Sequence, residues 1–123
     1  MGIRMALFTL LFTAGSCAVA LESQQSITNE EKYAVSYCLA GAYPDSAFSN
    51  DARYILGAYL EMGEVGINVY QSIAAFVDEY KKKPYVSKND RNLNIMQCLD
   101  LFGSEELAAV IRESANSTEQ EDY

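Results

Sequence analysis

From Thr28 to Glu113 the apolar residues recur at three- and four-residue steps, the period of amphipathic helices, and breaks in that period divide the segment into four or five of them. Thr28 and Glu31 have the T-x-x-E spacing of a capping box, in which the two side chains satisfy backbone N–H groups at a helix start. Behind it, Ala34, Tyr37, Cys38 and Gly41 or Ala42 share one face. Pro44 disfavours helical geometry at the residue before it and ends that helix. Asp45 or Ser46 can start a second helix with the stripe Ala52, Ile55, Leu56, Tyr59 and Met62, and Gly63 is placed as its C′ stop.

The third helix is predicted from Val65 to Lys82, with Val69, Ile73, Phe76, Val77 and Tyr80 on its apolar face. It closes in Lys81-Lys82-Lys83, positive charge at the negative end of the helix dipole, and Pro84 breaks it. Pro84 to Arg91 has no period and reads as a loop. Asn92 can cap a fourth helix carrying Leu93, Met96, Leu99 and Phe102. Gly103 interrupts, and Ser104 can cap a last short helix with Leu107, Val110 and Ile111. Residues 114–123 are polar, acidic and aperiodic, and read as a disordered tail. Short turns everywhere except at the Pro84 loop point to an all-α fold, a small antiparallel bundle of four to five helices.

The N-terminus has a different pattern. Arg4, a short apolar run from Met5 to Thr13, and small residues at Ala18 and Ala20 form the sequence of a secretory signal peptide, residues 1–20. The run is shorter than the roughly 20 apolar residues that a membrane-spanning helix needs. The bundle then occupies residues 21–113. Ala14-Gly15-Ser16-Cys17 loosely resembles a lipobox, with Ala14 where Leu is usual, so lipid anchoring through Cys17 is the alternative processing route.

Export changes the meaning of the cysteines. Cys38 and Cys98 remain after cleavage, in an oxidising compartment where such a pair usually becomes a disulfide, the alternative being two buried free thiols. A bridge closing a loop of about 60 residues contributes about 4 kcal/mol in the chain-entropy picture. Cleavage also removes Arg4 and no acid, so the net charge moves from −8 one unit further negative. Such a chain is repelled by nucleic acid and anionic membranes and favours a basic partner.

The chain contains no histidine, which excludes Ser-His-Asp and Cys-His catalysis and His-ligated metal sites. Gly57, Gly63 and Gly66 lack the spacing of a phosphate-binding loop, and Asn89-Asp90-Arg91-Asn92 is too short for a calcium loop. Glu61 and Glu64 could formally act as a carboxylate pair, but acids at helix ends are ordinarily solvated. No enzyme activity, cofactor or small-molecule substrate is expected. What remains is recognition. The stretch Lys83, Pro84, Tyr85, Val86, Ser87, Lys88, Asn89, Asp90 and Arg91 joins two rigid helices and carries Tyr and Arg, residues enriched at binding hot spots. The alternative is a plain connector with Tyr85 packed back on the core. Tyr33, Tyr43, Tyr54 and Tyr70 lie near or off the stripes and suggest either a second interface, such as a homodimer surface, or boundary tyrosines with one wet edge.

Four stretches carry a family resemblance: Asn29-Glu-Glu-Lys-Tyr-Ala-Val-Ser-Tyr-Cys38-Leu-Ala, Gly57-Ala-Tyr-Leu-Glu-Met-Gly63, Lys83-Pro-Tyr-Val-Ser-Lys88 and Leu93-Asn-Ile-Met-Gln-Cys98-Leu-Asp-Leu-Phe102. In this order the chain resembles the bacterial immunity proteins that neutralise the fourth family of type VI secretion amidase effectors. The resemblance implies a periplasmic homodimer and, as partner, a cysteine amidase that cuts peptide crosslinks of peptidoglycan. It implies that a protruding loop of one subunit, here Lys83 to Arg91, occludes the amidase cleft while a helix of the other, here within Val65–Lys82, adds contacts. It also implies a Cys38–Cys98 disulfide. The competing reading is an exported helical binding protein without a toxin partner, such as a lysozyme-type inhibitor or an envelope adaptor.

Overall fold

The structure, a computed structural model, describes residues 26–118. The expected signal segment, Cys17 and the tail beyond Thr118 lie outside the described residues. Five helices follow in order, α1 (Asn29–Ala42), α2 (Ala47–Met62), α3 (Ile67–Tyr80), α4 (Asn94–Leu99) and α5 (Glu105–Thr118). The fold is an all-α bundle with one Cys38–Cys98 disulfide.

The first helix starts where its capping box places it. The Thr28 hydroxyl accepts from the Glu31 N–H at 3.2 Å, and the Glu31 carboxylate accepts from the Thr28 N–H at 2.9 Å. Tyr33, Ala34, Val35, Ser36, Cys38 and Ala40 are all buried, far more than one stripe, because α1 is the central helix, packed by α2, α3 and α4. Pro44 lies just past its end. Asp45 takes a left-handed conformation (φ 62°), which a short acceptor side chain tolerates, and Ser46 caps α2 through the Ser49 N–H at 3.0 Å.

α2 returns antiparallel to α1 on small residues. Only Ser49 and Ala52 are buried in it, and the Ser49 hydroxyl donates to the Ala40 carbonyl across the contact. Leu56, Tyr59 and Leu60 reach the core, whereas Met62, expected on the stripe, is exposed. Gly63 stops the helix by a different route from the one expected. Its φ is −74°, so no left-handed cap forms. Its missing side chain instead leaves room for the Tyr70 hydroxyl, which a Cβ there would overlap.

α3 runs parallel to α1. Val69, Ile73 and Val77 are fully buried as predicted, joined by Tyr70, which meets Tyr33 edge-on with centroids 4.9 Å apart. Tyr33 and Tyr70 are therefore core residues and not interface tyrosines, while Tyr43 and Tyr54 are exposed.

The fourth helix departs most from the sequence reading. Asn92 does not cap it; Leu93 holds the cap position without a side-chain bond, and Asn92 instead bridges to Val86. Met96 and Leu99 are 53% and 48% exposed, and the buried face is Gln97, Cys98 and, just beyond, Leu101. The reason is covalent. Cys98 is bonded to Cys38 with Cα atoms 5.5 Å apart, and that turns its own side of the short helix inward. Gly103 then reverses the chain at φ 68°, its N–H donating to the Glu31 carboxylate at 3.1 Å. Ser104 caps α5, which packs on α3 and runs on to Thr118, so residues 114–118 are helical and not part of a disordered tail. Leu107 is buried, and beyond Glu113 the Ser114 and Ser117 hydroxyls bond back to α5 carbonyls.

Two glycines, Gly57 inside α2 and Gly63 at its C-cap, make opposite predictions. Gly57 is exposed with open space around its α-carbon, so Gly57→Ala should stabilise the protein by about 0.5–1 kcal/mol. Gly63→Ala should destabilise it by about 1–3 kcal/mol, because Tyr70 must move. Urea denaturation of both variants checks the pair.

Burial pushes the hydroxyls of Tyr33, Tyr37, Tyr70 and Tyr80 above the ordinary value of 10.0, with the Asp78 charge and hydrogen bond adding to this at Tyr37. The folded chain thus holds these protons more tightly than the unfolded one. Their contribution should be complete below the unfolded pKa of about 10 and be lost as pH rises through the higher folded values. Unfolding free energies measured across that alkaline range should fall as phenolate absorbance rises.

Candidate functional site

The segment between α3 and α4 is built, residue by residue, into a small hairpin. After Lys81 the chain tightens, with the Lys82 and Lys83 N–H groups donating to Glu79 and Tyr80 carbonyls. The buried Gln97 side chain then clamps the base, donating to the Tyr80 carbonyl at 3.3 Å and the Lys83 carbonyl at 3.0 Å. Tyr80 reciprocates, its hydroxyl donating to the Gln97 carbonyl at 2.9 Å. Beyond this base the Leu93 N–H donates to the Tyr85 carbonyl, Val86 pairs with Asn92, and the Ser87 N–H donates to the Arg91 carbonyl at 2.9 Å. Lys88, Asn89 and Asp90 form the tip. Asp90 stands at φ 57°, the left-handed residue that a three-residue hairpin loop requires. The Ser87 hydroxyl accepts from the N–H groups of Asn89 and Arg91, so the tip is held from inside.

Within this frame the predicted residues divide in two. Tyr85 is half-buried and its hydroxyl donates to the Asp100 carboxylate, and Ser87 faces the turn. Lys83, Pro84, Val86, Lys88, Asn89, Asp90 and Arg91 are exposed. Tyr85 thus braces the hairpin against the α4 end, and the outward surface is Val86 with the tip and its flanking cations. Gln97, Tyr80 and Asp100, which hold the hairpin in place, were not predicted. Gln97 sits one residue before Cys98 on a helix whose apolar residues point elsewhere, and no periodicity marks it.

Two surfaces flank the hairpin. Ile95, Met96 and Leu99 on the outer side of α4 line, with Tyr43, an open groove of about 470 Å³. Across the end of α1 lies a cleft of about 370 Å³ containing Arg53, Lys81 and the Tyr37 hydroxyl, which donates to the Asp78 carboxylate at 3.2 Å. Glu61 and Glu64 lie exposed at the opposite end of the bundle, where Met62 accepts from Asn29 at the start of α1. The arrangement offers shape and charge for another protein.

The comparisons with known proteins agree with that description. The model of the Tai4 family, type VI secretion system amidase immunity protein, matches residues 28–111. The chain belongs to this family. Among solved structures it is similar to a chain of the effector–immunity system Tae4/Tai4 from Salmonella typhimurium, at 32% identity and a TM-score of 0.61, over 68% of this chain and 83% of that one. Among curated proteins none matches. The family assignment spans from the capping box of α1 to the middle of α5, so all of the hairpin and its base lie within the matched part of this immunity protein.

Removing the Gln97 side chain leaves the Lys83 carbonyl and one buried position without partners, while the Tyr80 carbonyl keeps only the Lys83 N–H. Gln97→Ala should lower stability by about 1–3 kcal/mol. In hydrogen exchange, it should speed the hairpin amides of Ser87, Asp90 and Leu93 more than those of α1.

Proposed function

We propose that this immunity protein is exported to the periplasm. There it binds a type VI secretion peptidoglycan amidase and blocks its active-site cleft with the Lys83–Arg91 hairpin, protecting the cell from self-intoxication. The observation that carries this reading is the hairpin itself. An exposed tip is held at its base by Gln97, braced by Tyr85 and closed internally by Ser87, so little ordering entropy is lost when it enters a concave site. Family membership supports the choice of partner, since the similar solved structure is described as an effector–immunity system. The disulfide supports an oxidising compartment. Steric occlusion asks no chemistry of the occluding chain, and the chain supplies no imidazole.

The resemblance also implies a homodimer in which α3 of the second subunit touches the same enzyme. The exposed apolar side chains Tyr43, Tyr54, Met96 and Leu99 provide surface for a further protein contact and support that part of the proposal.

The test replaces Val86 through Asp90 with Gly and Ser, sparing Tyr85. The variant should keep the thermal midpoint of the parent and lose inhibition of its cognate amidase, assayed as release of peptidoglycan crosslink fragments. Undiminished inhibition by that variant would reject the hairpin as the occluding element. Turnover of peptidoglycan by the immunity protein alone would reject the reading as a whole.

A further inference from the structure

The charge of the hairpin is opposite to that of the body that carries it. The chain has a net charge of −8, yet Lys81, Lys82, Lys83, Lys88 and Arg91 make up more than half of its 9 Lys and Arg residues. Part of this concentration has a local use. Lys82 pairs with Glu79, the only ion pair among the described residues. The Lys81 ammonium lies against Gly41 in the last turn of α1, a helix with no basic residue of its own there, and so sits at the negative end of that dipole. Lys83, Lys88 and Arg91 have no such use. All three are exposed, and among the described residues no carboxylate lies within ion-pairing distance of them. The sole acid of the stretch, Asp90, occupies the left-handed tip position, where Asp and Asn fit for backbone reasons.

Resting on the proposed reading, we infer that the hairpin is a cationic prong and that the amidase cleft receiving it is acidic. This reverses the expectation from whole-chain charge, which favours a basic partner. Charges farther apart than the Debye length of about 8 Å in physiological salt are largely screened, so the acidic body acts only weakly on a cleft that the tip enters. Within that distance the nearest charges decide, and the tip is nearest. An acidic cleft draws the prong in and speeds productive encounter, while a basic cleft would repel the only part shaped to enter it.

Stopped-flow association with the cognate amidase tests the sign. Wild-type association should slow about tenfold or more between low salt and several hundred millimolar. The variant Lys83→Gln/Lys88→Gln/Arg91→Gln should associate about tenfold more slowly at low salt and show a flattened salt dependence. Asp90→Asn keeps the left-handed tip and should associate faster. Salt-independent wild-type rates, a triple variant as fast as wild type, or a slower Asp90→Asn would overturn the inference. Loss of inhibition on Gly/Ser replacement of the tip, with these charge variants unchanged, would leave the occlusion reading intact and remove only the acidic cleft.

Discussion

The bond between Cys38 and Cys98 is the constraint on which the rest of the molecule depends. α4 is a six-residue helix, far below the length at which a helix is stable alone. Its side of contact and its position on α1 are set by a covalent tie. Gln97 is the neighbour of that tie, and Gln97 holds both the end of α3 and the base of the hairpin. The bridge therefore contributes in two ways. It restricts the unfolded chain, and it fixes the platform from which the hairpin projects.

The same tie accounts for the unequal burial of the bundle. α1, central and bonded, is buried on most sides. α2 leans on it through Ser49 and Ala52 and leaves much of its surface wet. On α4 the side facing Cys38 takes the interior, and Ile95, Met96 and Leu99 are left outside, beside the hairpin. Apolar surface and positive charge are thereby gathered at one end of an otherwise acidic protein. For a chain that binds another protein, this separation of sign and shape is a physical basis for specificity.

Much of the fold was legible because its signals are local. The Thr28–Glu31 box, the Ser46 and Ser104 caps, the stop at Pro44 and the Val69–Ile73–Val77 stripe each depend on residues a few positions apart. The hairpin segment was also legible, from Pro84, the lost period and the density of polar residues. Its internal order was not. For Tyr85 the sequence left an outward anchor and a side chain packed back on the protein both open, and its actual partner, Asp100, is fifteen positions away and unmarked by any pattern. Tyr33 and Tyr70 read as surface residues because a phenol's polar tip conceals that its ring can be buried edge-on against another.

The amino-acid sequence by itself determined the helices, the caps at Thr28, Ser46 and Ser104, the connecting segments and the lack of any imidazole. These follow from backbone preferences and side-chain chemistry that act over one or two turns. Only the tertiary structure decided which side of α4 faces in, why Gly63 must lack a side chain, that Glu31 joins the N-terminus of α1 to the turn at Gly103, and which loop residues brace and which project. Each of those depends on groups brought together from distant parts of the chain, and contacts of that kind leave no periodic trace in either partner.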